Sequence, residues 1–347
     1  MLKLIAVLTS SLVGLMGIAT TAAKADAVSE FYKGKQVFLQ IGSGAGGGYD
    51  LIGRILARHY GKYIPGNPTI VVQNVPGGGS LKLANQFGNT TNNDGTFIGL
   101  MSNGMPTTPL MNSKAAHFDP RRFSFIGSTS REIQVLVIWH TAPAKTLADV
   151  FTTEVIAGAS SPGSATLDVP LLTNALMGTK FKIVAGYPGA TDVKLAMQRG
   201  EVHANAALAW GSARTQYADR LRSKELRVLA QYGAHKHPDL PDVPLFPMAK
   251  TAADQQIFDL MFARQNYGRP LVTPPNVPAE RVKALIAAFQ ATMKDPSFLA
   301  EAAKADVEVD PVSAQEMQDL TERLFKTSPE VIARMRQLLG TQGSLRD

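Results

Sequence analysis

From Val37 to the C-terminus, apolar runs of strand length alternate with stretches whose apolar residues recur at helical spacing. That alternation constrains the fold more than any other feature, because a chain that keeps returning from helix to strand builds largely parallel sheets with helices as crossovers. "QVFLQI" reads as the first strand. "DLIGRILARHY" reads as the first helix, with Leu51, Ile52, Ile55, Leu56 and Tyr60 on one face. "TIVVQN", "TFIGLM", "FSFIG" and "QVLVIW" are further strands, and "PGGGS" is a glycine turn before a short helix around Leu81 to Phe87. The expected class is α/β.

At 347 residues the chain exceeds the roughly 250 to 300 at which single cores stop growing, so two domains are expected. Beyond Trp139 a new set begins, with strands "EVIAGA", "FKIVAG", "VHANAA" and "LRVLAQ" and helices at Thr166 to Met177 and from Thr191 to Gly200. A proline-rich surface segment, "HPDLPDVPLFP", follows. These patterns place domain one at 31–133 and domain two at 134–262. Residues 263–347 return through "QNYGRPLVTPP", then form helices introduced by Pro278, Ser313 and Ser328-Pro329 that are expected to pack on domain one.

The first 25 residues stand apart: Lys3, an apolar stretch from Leu4 through Ile18, then small residues ending in Ala23-Lys24-Ala25. This is the pattern of a secretory signal peptide over 1–25, cleaved after Ala25 or, as second choice, after Ala27. The apolar run is shorter than the ~20 residues that span a bilayer. The sequence contains no cysteine, so neither a disulfide nor a lipid-bearing cysteine is available. The expected location is a bacterial periplasm. Removing Lys3 and Lys24 from 35 basic residues leaves 33 against 28 acidic ones, a modest positive balance that draws anions toward a cleft. The basic residues are scattered and not interleaved with aromatics, which argues against nucleic acid as a partner.

Between first strand and first helix lies "IGSGAGGGYD", Ile41 to Asp50, half of it glycine. Gly42, Gly44 and Gly47 satisfy G-x-G-x-x-G, yet the second strand ends in Gln73-Asn74 where a dinucleotide site needs an acid for the ribose, and no Walker lysine follows. A plain turn needs fewer glycines than this. Bare backbone amides at a helix N-terminus suit a carboxylate, which makes this loop, with Gly46, Gly47, Gly48 and Tyr49 at its helix end, a leading ligand contact, Asp50 being placed to cap the helix.

"ASSPGSATLD" repeats the device in domain two, where Ser160, Ser161, Ser164, Ala165 and Thr166 offer O–H and N–H donors to a second polar end of a ligand; their alternative role is capping. Tyr187 in "AGYPGATD" either lines the cleft or shapes a turn, and Asn103 follows a strand of domain one. Arg131 and Arg269 flank the two proposed crossings near Gln134 and Asn266, where a guanidinium pairs with a carboxylate ligand or with an interdomain acid. No G-x-S-x-G elbow and no zinc-type histidine spacing is present, so a catalyst is not expected. No metal or other cofactor is required.

Taken together, "GAGGGYDLIGRILARHYG", "VVQNVPGGGSLKLAN", "NNDGTFIG", "GYPGATDVKLAMQRGEV" and "LRVLAQYGAHKHPDLPDVPLF" resemble the periplasmic receptors of tripartite tricarboxylate transporters, the Bug proteins. The resemblance runs from about Phe31 to the C-terminal helices. It implies a type II-like two-domain periplasmic binding protein, monomeric, that closes over a small mono-, di- or tricarboxylate, aromatic acids included, and delivers it to membrane permease subunits. A sensor with the same fold is the alternative reading. The resemblance also implies that Gly46 to Asp50 form the domain-one carboxylate loop and that Ser160 to Thr166 and the Tyr187 turn form the opposite side. Tyr49 departs from the threonine or serine common before the aspartate, which leaves the particular acid open.

Overall fold

The computed structural model describes residues 27–340 apart from 112, 113, 234, 235, 248 and 250; the expected signal peptide lies outside them. The first lobe opens with strand β1 (Gln36–Ile41), helix α1 (Gly48–Tyr60), β2 (Thr69–Asn74), α2 (Leu81–Asn89), β3 (Phe97–Leu100), the short α3 (Thr108–Met111) and β4 (Ser124–Ser128). The second contains β5 (Gln134–Trp139), β6 (Val155–Gly158), α4 (Ala165–Met177), β7 (Phe181–Val184), α5 (Ala190–Gln198), β8 (Ala204–Ala209), α6 (Trp210–Gln216), β9 (Leu226–Tyr232) and α7 (Ala252–Ala263). The chain then returns through β10 (Pro270–Thr273), α8 (Ala279–Thr292), α9 (Pro296–Lys304), β11 (Val312–Ser313), α10 (Ala314–Leu324) and α11 (Pro329–Gly340).

The two sheets are ordered β11-β4-β10-β3-β1-β2 and β7-β6-β8-β5-β9. They are mixed, and not largely parallel as the alternation suggests. Strand β1 pairs parallel with β2 and β3, but β10 runs antiparallel to both β3 and β4. In the second sheet β6 pairs parallel with β7 and β8, while β5 runs antiparallel to β8 and β9. Strands β5 and β10 have each just crossed from the other lobe, while β11 pairs antiparallel with β4 at the sheet edge. Both crossing strands are buried along their whole length, which explains why "QVLVIW" reads as an unbroken apolar run.

Helix α1 forms because Ile52, Ile55, Leu56 and Tyr60 bury one face against the first sheet and the returning helices. Its other constraint is Gly53, where a Cβ would stand 2.6 Å from the Ile41 side chain. The Tyr60 hydroxyl donates to the Leu285 carbonyl at 2.7 Å, tying α1 to α8. Helices α8 and α10 lie against β4, and α9 against α1. The last helix departs from the expectation that the C-terminal helices pack on the first lobe: α11 touches α3 there, but also α4 and α7 of the second lobe. Met335 of α11 accordingly joins a core that also contains Phe87, Leu172 and Phe258. The proline-rich segment is likewise anchored, with Leu240 and Phe246 buried and Gln231 Nε2 donating to the Leu240 and Val243 carbonyls.

The crossings run side by side. Glu132 N–H donates to the Gln265 carbonyl at 3.1 Å, and Gln265 Nε2 donates to Gln134 Oε1 at 2.7 Å. Gly268 sits at φ 53°, and a Cβ there would lie 1.5 Å from the Ser130 carbonyl oxygen. Only a residue without a side chain permits this approach and this backbone angle together. Gly268→Ala is therefore expected to cost about 2–4 kcal/mol of folding stability in urea titrations. A variant as stable as the parent would show that the crossings are not packed this tightly.

Candidate functional site

The glycine loop owes its shape to the carboxylate at the helix start. Gly46, at φ 81°, donates its N–H to Asp50 Oδ2 at 2.9 Å. Asp50 also accepts from Arg54 Nε at 3.0 Å and from Asn74 Nδ2 at 2.9 Å, while Asn74 donates to the Ser43 carbonyl. Burial would raise the Asp50 pKa, but the bonds from Arg54, Gly46 and Asn74 outweigh it and hold the carboxyl below its ordinary range. Asn74, standing where a dinucleotide site would carry its acid, is thus spent on bracing the loop. The first bond of the helical ladder runs from Leu51 N–H to the Gly47 carbonyl, so the N–H groups of Gly48, Tyr49 and Asp50 precede it.

The other loops of the first lobe are knitted to this one. Ser80, in a left-handed conformation at φ 76°, donates to the Gly42 carbonyl at 3.1 Å and accepts from Ser102 N–H at 2.9 Å. A Cβ on Gly42 would meet Ser80 Oγ at 2.3 Å, which fixes that glycine. The Tyr49 hydroxyl donates to the Gly268 carbonyl at 3.1 Å and accepts from Asn103 N–H at 3.2 Å. Burial and the nearby Glu132 charge push the Tyr49 phenol well above its ordinary pKa, so it stays neutral. The Arg269 guanidinium stacks 5.7 Å from the centre of the Tyr49 ring.

The second lobe presents the same device. Gly163, at φ 88°, donates its N–H to Asp168 Oδ1 at 3.1 Å, just ahead of and within the first turn of α4. Arg264 binds Asp168 Oδ2 through Nη1 at 3.2 Å and Nη2 at 3.1 Å, and the Gly163 carbonyl through Nη1 at 3.1 Å. Burial raises the Asp168 carboxyl, opposed by Arg264 and the Gly163 N–H. Ser160, Ser164 and Thr166 form a hydroxyl triad with Oγ separations of 2.8, 2.9 and 3.0 Å, and Ser164 donates to the Ser161 carbonyl.

The two sets of loops face one another closely. A Cβ on Gly104 would lie 2.6 Å from the Gly163 carbonyl oxygen, one on Gly79 3.9 Å from Ser161 Oγ, and one on Gly48 2.6 Å from Ser212 Oγ. Between them Arg269 Nη2 pairs with Glu132 Oε1 at 3.0 Å, both residues being buried. Arg269 Nη1 donates to the Gly48 carbonyl at 3.4 Å, and Nε is buried with no partner among the described residues.

Of the residues singled out in the sequence, Gly46 to Asp50, Asn103, Ser160 to Thr166 and Arg269 come together here. Two others are engaged elsewhere. Arg131 directs its guanidinium to Asp310 at 3.3 Å and Glu316 at 2.7 Å, on a half-exposed surface. The Tyr187 turn is bonded to the second loop, Gly186 N–H donating to the Ser160 carbonyl and Tyr187 N–H to the Ala159 carbonyl, both at 3.2 Å, but the Tyr187 ring packs over Gly158 and its hydroxyl meets Glu201. The structure adds Ser80, Glu132, Asp168, Ser212 and Arg264. Asp168 alone carried a sequence signal, as the acid closing "ASSPGSATLD" in the manner that Asp50 closes the first loop.

The model of the tripartite tricarboxylate transporter family receptor matches residues 53–336. The Cupriavidus necator UPF0065 protein in the gbd 5′ region is 26% identical over 333 residues, 92% of this chain and 93% of its own length. Among solved structures, the periplasmic binding protein BugD superposes with a TM-score of 0.69 at 20% identity, over 88% of this chain and 98% of that one. A Rhodopseudomonas palustris protein with adipate gives 0.68 at 21% identity, over 89% and 97%. MatC from Rhodopseudomonas palustris with bound malate gives 0.65 at 16%, over 88% and 99%. These structural likenesses concern the fold.

The bracing of the glycine loop has a pH signature. The folded Asp50 pKa lies below the unfolded one, so its stabilisation is complete above the ordinary carboxylate value of about 4 and is lost as pH falls through the folded value. Asp50→Asn should therefore lose about 1–3 kcal/mol at pH 7 in urea unfolding, with the difference shrinking as both proteins are taken toward pH 3. A gap that stays constant across this range would mean that the charge of Asp50 does not hold the loop.

Proposed function

The chain belongs to the tripartite tricarboxylate transporter receptor family, and on that premise we propose that it is a periplasmic receptor that closes over a small organic carboxylate and delivers it to membrane permease subunits. The observation that carries this reading is the opposed pair of helix starts. Helices α1 and α4 each begin just after a left-handed glycine whose N–H is fixed by a first-turn aspartate; across the lobes the α4 loop meets the Gly79 and Gly104 turns beside the α1 loop, and Gly48 meets Ser212. Such ends offer N–H groups and a positive dipole to an anion.

The charges support a binder of acids through neutral donors. Asp50 is met by Arg54, Glu132 by Arg269 and Asp168 by Arg264, so the fixed charges around the gap cancel in pairs. A carboxylate entering it is satisfied by the α1 amides and by hydroxyls of the Ser160, Ser164 and Thr166 triad that rotate toward it. Held as it is, Asp50 is not a poised base, which fits a receptor and not a catalyst. The adipate- and malate-bound relatives support the organic-acid class. Tyr49 fills space between the α1 loop and the return crossing, and so restricts which acid fits.

Closure on a ligand follows from donors supplied by both lobes, since an acid that touches both stabilises the closed arrangement by its differential affinity. A thermal-shift panel of mono-, di- and tricarboxylates should contain an acid that raises the melting temperature in a concentration-dependent way. Gly47 has φ −87°, and a Cβ there meets nothing within 4 Å, so Gly47→Val keeps the fold while placing methyl groups at the amides. Calorimetry with the stabilising acid should show affinity at least about tenfold weaker in this variant. Unchanged affinity would remove the loop from the site, and a panel without any stabilising acid would sink the substrate class.

A further inference from the structure

Apart from the ligand loops, the lobes also meet along a row of charges. The stretch that follows α9 reads "ADVEVD", Ala305 to Asp310, with an acid at every second position. Val307 and Val309 pack into the core of the first lobe, and Asp306, Glu308 and Asp310 alternate with them. All three acids find cationic or donor side chains from beyond that lobe. Arg214 of α6 pairs through Nη2 with Asp306, and through Nη1 with Asp239 of its own lobe at 2.8 Å. The His237 ring adjoins them. Its Nδ1 accepts from the Asp239 N–H at 3.1 Å, which leaves Nε2 to donate to Glu308 Oε1 at 3.3 Å. Trp210 Nε1 also donates to Asp239, at 3.2 Å, so that carboxylate joins the second-lobe side of the row into one network.

The row has an anchored end. Arg131, on the outward crossing, meets Asp310 at 3.3 Å, its N–H donates to the Asp310 carbonyl, and Asp310 N–H donates to the Thr129 carbonyl. This pair therefore belongs to the crossing itself. Arg214 and His237, by contrast, reach Asp306 and Glu308 from the body of the second lobe and through side chains. Asp306 and Asp239 are exposed, so salt screens these contacts and each is weak alone.

We propose that the row is an ionic clasp: Arg214 and His237 hold Asp306 and Glu308 while the lobes are together, and a rotation about the crossings parts these two pairs but leaves Arg131 with Asp310. The clasp touches no ligand. It rests on the proposed closure over an organic acid, and it makes the affinity for that acid depend on ionic strength through the fraction of closed chains.

Spin labels at Lys33→Cys and Lys182→Cys, exposed positions on the first and second lobes, read the lobe separation, and the chain has no cysteine of its own to compete for them. Without added acid, Arg214→Met should raise the ratio of long to short separations roughly threefold, the effect of losing one exposed pair in a network. Asp306 holds φ 55°, a conformation that asparagine accepts, so Asp306→Asn should keep the fold and do the same. The double variant should add nothing further, since both changes break one pair. Sodium chloride at 1 M should open the parent more than it opens Arg214→Met. Calorimetric affinity for the stabilising acid should fall in step with the closed fraction. Arg222→Met, which removes a pair with Asp219 inside the second lobe, should change neither quantity. The clasp is overturned if Arg214→Met and Asp306→Asn leave the separations as in the parent, if affinity does not follow the closed fraction, or if Arg222→Met has an equal effect. A panel without any stabilising acid would sink the receptor reading instead, and the label distances would still decide the clasp.

Discussion

Two buried guanidiniums on the return crossing set the terms for the rest of the molecule. A charge taken out of water must be met by an opposite one, or the protein pays several kcal/mol. Arg264 meets Asp168 and the Gly163 carbonyl, so it grips the serine loop of the second lobe. Arg269 meets Glu132 and the Gly48 carbonyl, so it grips the glycine loop of the first. The return crossing is therefore bonded to a loop of each lobe. Under the proposed closure, a shift of either loop is felt at the crossing, and a change of angle there moves the donors offered to the ligand.

The lobes repeat one another in a way that makes this arrangement possible. With the crossing strands set in, their sheets read β2-β1-β3-β10-β4 and β7-β6-β8-β5-β9, the intruding antiparallel strand taking the same place in each. The helices α1 and α4 each follow the second strand in these orders, β1 or β6. The matched pairs of Gly46 with Asp50 and Gly163 with Asp168 are then a consequence of position: each loop must present amides outward without collapsing, and an internal carboxylate fixes it at low cost in length.

Most strands were legible because their burial is written in apolar runs: "QVFLQI" and "TIVVQN" coincide with β1 and β2. Direction was not, since β5 and β10 look the same in sequence whether they run with or against their neighbours. The site was half legible for a related reason. Glycine, serine and capping acids announce themselves locally, as at Gly46 to Asp50 and Ser160 to Thr166. Glu132, Arg264 and Ser212 matter through partners far away in the chain, which spacing does not encode. Arg131 stands close to the crossing in sequence and Tyr187 beside the second loop in space, yet opposite charges at Asp310 and Glu316 and the acid Glu201 draw their polar ends elsewhere.

Tyr49 is where local and distant constraints meet. It lies in the glycine loop, just before the matched span of the family begins at residue 53. Its backbone belongs to the first turn of α1, but its hydroxyl reaches the Gly268 carbonyl and the Asn103 N–H, and its ring lies under Arg269. A smaller hydroxyl residue at this position would leave that Asn103 N–H and the face of Arg269 open to a ligand. The phenol covers both and stays neutral, so it takes donors away from an incoming acid while adding an aromatic surface. For the proposed receptor, this favours a ligand anchored at the amides of the loop and at the serines of the second lobe, with its remaining contact made to a ring and not to a cation.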